Sequence, residues 1–427
     1  MQILNLALAL VAMQAVHDSP TSSTEVSAGD PVTGRWHAWL DSPGGPIPFG
    51  LELSRTGICW EAWILNGSER LRVGKVEHEQ GQLSLQLDPY DSRVRARIGA
   101  DGRTLTGEWE RYRGPDTWTR MPFHANAGAA PRFSLVEAGH SVGGEVSDIT
   151  GRWRVDFESS EDPAVAVFDS FGMGENLESD QGVEGTFLTT LGDYRFLEGS
   201  FDSGTLSLSC FDGAHAFLFK AKLTPEGNLE GDFWSRDTWH ESWTAVRDPE
   251  ATLPDPFELT TWTGQKSLRN VVFPDLDGSP RSLADPEFQG RARVLVLFGT
   301  WCPNCYDAST YLRELHHRFS GRGLSILGLA FEFGDTFERN ARVVKEYAEH
   351  KKLDYPILVA GPSDKAEASR AFPLLDRVRA YPTFLFLDRN DEPKAIYTGF
   401  SGPATGPAHD RLREQFERTI HELLSGE

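Results

Sequence analysis

The sequence predicts a mixed α/β block at its C-terminal end, preceded by two all-β antiparallel modules that repeat one another. Three observations carry this. Buried apolar runs joined by helical patterns appear only from about Ser267 onward. Before that point, short stretches alternate with period two between Gly- and Asp-rich turns. Segments of the two β-rich stretches also answer one another in sequence.

The chain of 427 residues is too long for one ordinary domain. Its 39% hydrophobic and 25% charged residues are those of a soluble globular protein. A net charge of -21 argues against nucleic-acid binding, which needs clustered Lys and Arg for phosphate contacts. The run MQILNLALALVAMQAV, residues 1–16, reads as a secretory signal peptide with a weak n-region and a poor cleavage site. An N-terminal helix or strand is the alternative. Residues 17–33 read as a disordered linker, and export to a periplasm or cell envelope is the expectation.

Composition then divides the chain. Residues 34–123 form the first β module, 124–148 an Ala- and Gly-rich linker, and 149–246 the second module. Residues 247–266 form a Pro- and acid-rich linker, and 267–427 the α/β block, which should fold without the modules. GRWHAWLD at Gly34 is answered by GRWRVDFE at Gly151, and GRTLTGEWER at Gly102 by GNLEGDFWSR at Gly227. GQLSLQLD at Gly81 is answered by GTLSLSCF at Gly204, an offset of 204 − 81 = 123, with a slip near the end of the repeat. Leu83, Leu85 and Leu87 alternate in one copy, and Leu206, Leu208 and Cys210 in the other. This is the pattern of a meander, sandwich or small barrel. Most of the 12 Trp lie here, either filling the cores of short-stranded modules or lining an aromatic cleft. Cys210 should point into a core and Cys59 outward, with no bridge between them.

In the third block, FPDLDGSPRSL reads as a short hairpin and RVLVLFGTW as a buried strand. NCYDASTYLRELHHRFSG follows as a helix ended by Gly321, then LSILGLAFEF as a second buried strand and DTFERNARVVKEYAEHKK as a second helix. YPTFLFLD and KAIYTGF flank a short turn and must run antiparallel, and HDRLREQFERTIHELL closes the chain as a helix.

Cys302 and Cys305 stand between the first buried strand and its helix. Unpaired amides at a helix N-terminus favour a thiolate, the species that attacks a disulfide, and a second thiol one turn on can resolve the mixed disulfide. Pro303 suits the first helical turn. A structural zinc site would need four ligands, but there is no second CxxC, and His316 and His317 point to different sides of their helix. A structural staple is also unfavoured, because so short a loop constrains the unfolded chain little. A redox pair remains, with no metal and no cofactor beyond the dithiol itself.

From about Ser267 onward, LDGSPRSL, VLVLFGTWCPNC, LSILGLAFE and AYPTFLFLDRNDEP resemble the thioredoxin fold. Within it, they resemble the TlpA/ResA-like exported thiol–disulfide oxidoreductases. The resemblance implies a mixed central sheet flanked by helices, Cys302 as attacking thiol and Cys305 as resolving thiol. It also implies a cis peptide between Tyr381 and Pro382 beside them; an ordinary trans Pro opening a strand is the alternative. Trp301, Tyr381 and Pro382 are the expected substrate-contacting residues. Thioredoxins proper carry an Asp six residues before the first Cys, and here that position is Val296. Glu332 fits the place where TlpA/ResA-like proteins put an acid instead, and would accept the resolving proton. A solvated strand-end charge is the other reading of Glu332.

Expected partners are client protein disulfides and a thiol electron donor, with a membrane-bound donor as one option and no nucleic acid, and the β modules are expected to recruit a client or partner. A reductase is the expected direction, although Pro-Asn between the cysteines, in place of Gly-Pro, leaves oxidation open. A peroxiredoxin-type peroxidase is an alternative, but its Pro-x-x-x-Thr/Ser-x-x-Cys loop is absent at both cysteines. A binding protein whose β repeats carry the function is a second alternative.

Overall fold

The computed structural model describes residues 32–88, 90–133, 148–172, 181–263, 267–288 and 291–426. The leader reading of residues 1–16 and most of the 17–33 segment lie outside these, as does the greater part of the 124–148 linker.

Alternating side chains in residues 34–127 build a nine-stranded antiparallel sheet whose first strand, Gly34–Ser42, pairs with its last, Thr117–Ala127. The ring stays open between strands Glu69–Arg72 and Lys75–Glu79, which do not pair. The second sheet, from Gly151 to Arg247, also has nine strands. Here Ala164–Gly172 pairs with both Gly151–Phe157 and Gln181–Thr189, so the ring closes. Both begin with one device: the Trp36 indole donates to the Val32 carbonyl and the Trp153 indole to the Ile149 carbonyl, each at 3.0 Å. The first linker starts later than expected, because His124–Ala127 extend the last strand by pairing with Trp36–Trp39.

Trp36, Trp109, Trp153 and Trp243 are fully buried, so core filling accounts for these four. Cys210 is buried and Cys59 exposed, both as free thiols. The two modules share a wall: Phe211, Ala216 and Leu218 of the second pack into the apolar core of the first. Asn66 closes the seam, its amide donating to the Phe211 carbonyl at 2.8 Å and its oxygen accepting from the Phe211 N–H at 3.1 Å.

The third block is a five-stranded mixed sheet. Its central strand, Ala292–Phe298, pairs parallel with Leu324–Glu332 and antiparallel with Thr383–Leu387. Ile357–Pro362 and Pro393–Thr398 form the edges. The central strand is buried at all seven positions: Val294–Phe298 are an apolar run, and the buried Arg293 is paired with Asp391. Helices α1 (Pro303–Phe319), α2 (Phe337–Lys351), α3 (Lys365–Ala371) and α4 (Pro407–Ser425) flank the sheet. Edge strand Ile357–Pro362 and the short α3 were not evident in the sequence. The left-handed residue that terminates the turn after α1 is Gly323 (φ 100°), not Gly321.

The stretch read as a free linker, 247–266, is a strap over its described part, 247–263. Arg247 still belongs to a strand, and Ala251 is buried against Val165 and Leu188. The Pro256 carbonyl accepts from the Thr398 N–H at 3.0 Å, and the Thr260 and Thr398 hydroxyls meet at 2.7 Å. Trp262 bridges Leu375.

The redox block is docked on both β modules. Arg195 of the second module, 1% exposed, pairs with Glu69 of the first at 2.6 Å and with Asp307 of α1. Asp212 lies 3.4 Å from its Nε. Arg339 of α2 pairs with Asp91 of the first module. A chain begun near Thr263 would therefore leave Asp307 and Arg339 without these partners. Breaking a buried ion pair from one side costs about 3–5 kcal/mol, because the remaining charges stay desolvated. Arg195→Met should lower stability by about that amount, read as a shift of the denaturant midpoint, and loosen all three modules together. A change below about 1 kcal/mol would show that the junction carries no net stability.

Candidate functional site

The site begins where the central strand ends. Gly299 starts a turn in which a Cβ would lie 2.2 Å from the Trp301 indole nitrogen, so the close pass of the indole requires glycine. Trp301 is fixed there, donating to the Phe331 carbonyl at 2.8 Å and stacking on Phe333 at 4.6 Å. The next residue, Cys302, is the N-cap of α1, with Pro303 at the start of the helix. Its sulfur accepts from the Cys305 N–H at 3.3 Å, which is the arrangement that stabilises negative charge on sulfur.

The Cys302 Sγ lies 3.4 Å from the Tyr381 carbonyl, and the Tyr381–Pro382 peptide is cis. Cys305 lies wholly inside the protein. Burial pushes its thiol well up, and the adjacent Cys302 sulfur and Glu332 add to this. Tyr347, on α2, donates to the Cys305 carbonyl at 3.2 Å and holds this turn from below.

Glu332 closes its strand one position over from the central strand and is 4% exposed, so the solvated strand-end reading is set aside. Its two oxygens accept from the Thr300 N–H at 2.8 Å and the Thr300 hydroxyl at 2.7 Å. Burial raises its carboxyl to about 7 despite these bonds and the nearby Arg339 charge. Val296 is buried in the core of the central strand.

Cys302, the thiol read as attacking, is only 7% exposed. The cause is the second β module. Its turn between Gln181–Thr189 and Gly192–Asp193 presses on the dithiol loop: a Cβ on Gly192 (φ 151°) would lie 1.9 Å from the Asn304 side-chain nitrogen. From the first module, Arg111 donates to the Trp301 carbonyl at 2.6 Å and to the Ala214 carbonyl at 2.5 Å. Cys302, Trp301 and Tyr381 line one wall of a cavity of about 560 Å³, whose opposite wall is the mouth of the closed barrel, with Phe217, Phe233 and Trp239.

The structure thus brings Trp301, Cys302, Cys305, Tyr381 and Pro382 together, with Glu332 behind them. Sequence reasoning missed Arg111, Arg195, Arg236 and Asp307. One signal was present: the paired segments GRTLTGEWER and GNLEGDFWSR both end in Arg, at Arg111 and Arg236, and both arginines reach this site.

Residues 263–392 match the AhpC/TSA family, so the C-terminal part carries a thioredoxin-like domain of that kind. The thiol-disulfide oxidoreductase ResA of Geobacillus kaustophilus is 30% identical over 130 residues, as is that of Geobacillus thermodenitrificans. The matched part spans 66% of each relative's length and 30% of this chain. Among solved structures, a thiol:disulfide interchange protein of the thioredoxin family from Chlorobium tepidum is similar at 23% identity. That match covers 36% of this chain and 92% of the other, with a TM-score of 0.28. A DsbF homologue from Corynebacterium diphtheriae is 16% identical over 42% of this chain and 98% of its own, with a TM-score of 0.29.

The raised Glu332 carboxyl makes a prediction about stability. Its charged form is the one burial disfavours, so the folded state binds the proton more tightly than the unfolded chain. The penalty is absent below the ordinary value of 4.5, grows as pH rises, and is complete above about 7. It amounts to about 3 kcal/mol there. Glu332→Gln should therefore gain stability on raising the pH from about 5 to 8, relative to the parent, by up to that amount. Parallel stability–pH curves for the two proteins would mean that Glu332 does not titrate in this window.

Proposed function

We propose that this protein is a thiol–disulfide oxidoreductase that reduces client disulfides through Cys302 and Cys305. The supporting observation is the Cys302 sulfur at the α1 N-terminus, 3.3 Å from the Cys305 N–H, with a buried carboxylate behind the pair. The Cys302 thiolate attacks one sulfur of the client disulfide; the client's S–S bond breaks and its other sulfur leaves as a thiolate that takes a proton. Cys305 then gives up its proton, with Glu332 as acceptor, and attacks the Cys302 sulfur. The mixed disulfide breaks, the second client thiolate departs, and the protein is left with a Cys302–Cys305 disulfide. Two electrons have passed to the client, and an external thiol donor resets the pair.

A carboxyl poised near 7 suits this proton transfer, since it is ionised in part at neutral pH and reprotonates readily. Trp301 and Tyr381 form the wall against which the client lies. The β modules restrict access to Cys302, which extends their expected recruiting role to gating. The apolar run at residues 1–16 supports export to the cell envelope, and sequencing the N-terminus of envelope-associated protein tests it: an intact Met1 would count against cleavage.

Cys302→Ser should reduce insulin or a small disulfide no faster than buffer. Cys305→Ser should accumulate a mixed disulfide with its client, visible as a mass adduct on Cys302. In the reduced parent, alkylation should reach Cys302 before Cys305. An adduct on Cys305, or peroxide turnover exceeding disulfide turnover, would overturn the assignment.

A further inference from the structure

The cavity beside Cys302 is cationic in a chain of net charge -21. Arg113 of the first module and Arg236 of the second both line it, with His215 on the same side. Burial lowers both arginines, and the Arg113 charge lowers Arg236 further, to about 10. Among the described residues, neither guanidinium has a hydrogen-bonded carboxylate; Arg113 lies over the Phe333 ring at 5.3 Å. Asp237, next in sequence to Arg236, is exposed at the turn.

The cavity's own carboxylates are already engaged. Asp193 accepts from the Gly402 N–H at 2.6 Å and from the Arg195 N–H at 2.8 Å. Glu241 accepts from Ser159 at 2.5 Å and from the Trp239 indole at 3.0 Å. Asp212, behind the wall, is held by the His215 N–H at 2.6 Å and the Ala214 N–H at 2.8 Å. Asp237 and Asp212 favour the Arg236 charge only in part, since burial and Arg113 still lower it, and for Arg113 burial is the one cause of its lowering; an anion in the cavity would offset that cost for both. A carboxylate is the group whose geometry a guanidinium fork fits.

We propose that the cavity is the substrate site for disulfides bearing a carboxylate a few bonds from sulfur, with Arg113 and Arg236 holding the carboxylate while Cys302 attacks the disulfide. This rests on the oxidoreductase reading above and names its substrate class. A volume of about 560 Å³ corresponds to a sphere roughly 10 Å across, which suits a small molecule or one extended peptide segment rather than a folded surface. Phe217 and Phe233 provide the apolar wall for the remainder. The redox step is the one already written, two electrons moving from the dithiol to the substrate disulfide.

The test uses the full chain with a thiol donor and two matched pairs of probes. One pair is dithiodipropionate and its diamide. The other is a disulfide-linked peptide with Glu beside the cysteine and its Gln counterpart. The readout is the ratio of kcat/KM for the acid over that for the amide. Arg236→Gln and Arg113→Gln should each lower this ratio about 10-fold, the loss of one charge-assisted hydrogen bond. Arg236→Lys should keep more of it than Arg236→Gln. A fall in the dithiodipropionate pair alone identifies a small-molecule substrate, and a fall in the peptide pair alone an acidic peptide. Ratios unchanged in all variants and both pairs, with Cys302-dependent reduction still present, overturn this proposal and spare the oxidoreductase. Absence of Cys302-dependent reduction of every probe overturns both.

Discussion

Arg195 enters the interior with 1% of its side chain exposed and finds its counter-charges on all three parts of the molecule. Burial works against its charge, but Asp307 and Glu69 outweigh that effect and keep the guanidinium protonated. Glu69 comes from the first β module, Asp307 from the redox helix α1, and Asp212 from the module that carries Arg195 itself. A desolvated guanidinium is tolerated only when its partners are in place. Arg195's need for compensation therefore ties the three modules together, alongside the shared apolar wall, the Asn66 seam and the Arg339–Asp91 pair. Acids exceed bases here, and burial raises both Glu69 and Asp193, so Arg195 also holds acids that would otherwise repel each other.

That junction is what brings the second barrel down onto the dithiol. Asp307 lies on α1 a little beyond Cys305, and Asp193, two residues before Arg195, binds the Gly402 N–H of the redox block. The turn containing Gly192 lies against Asn304, and Cys302 lines the cavity it shares with the barrel mouth. A bare strand–CxxC–helix unit would leave its attacking sulfur open. Here a wall of Phe217, Phe233 and Arg236 faces it, at the expense of access for folded clients.

Much of this was legible in the sequence, and the remainder failed for identifiable reasons. The dithiol, its strand and its helix follow from an apolar run, two cysteines and a 3.6-residue pattern, all local signals. The β strands follow from alternation: Leu83, Leu85 and Leu87 are buried, as are Leu206, Leu208 and Cys210. Whether each ring closes depends on pairing between distant strands, which alternation does not encode. The position of Glu332 was legible, but its burial was not, because that depends on how the strand end packs beneath Trp301 and Thr300. The strap at 247–266 was misread because Pro and acidic residues usually mark solvent-exposed linkers. Here the Pro256 carbonyl and the Thr260 hydroxyl pair with Thr398, and Ala251 and Leu253 pack against the second module. Arg195 and Asp307 carry no local mark at all, since each gains its meaning from residues on other modules.

The charge distribution has a kinetic consequence. At -21 the molecule presents a field that repels anions, yet the cavity at Cys302 is lined by Arg113, Arg236 and Lys365 against Asp193 and Glu241. At physiological salt the field of surface acids fades over about 8 Å, whereas partly buried charges such as Arg113 and Arg236 are screened less. An anionic substrate is therefore not drawn in from a distance and is favoured only on contact. Any preference generated here acts through residence in the cavity and alignment of the disulfide with Cys302, not through faster encounter. Selection of this kind suits a thiolate that reacts with many disulfides unless something other than its own chemistry decides which ones stay.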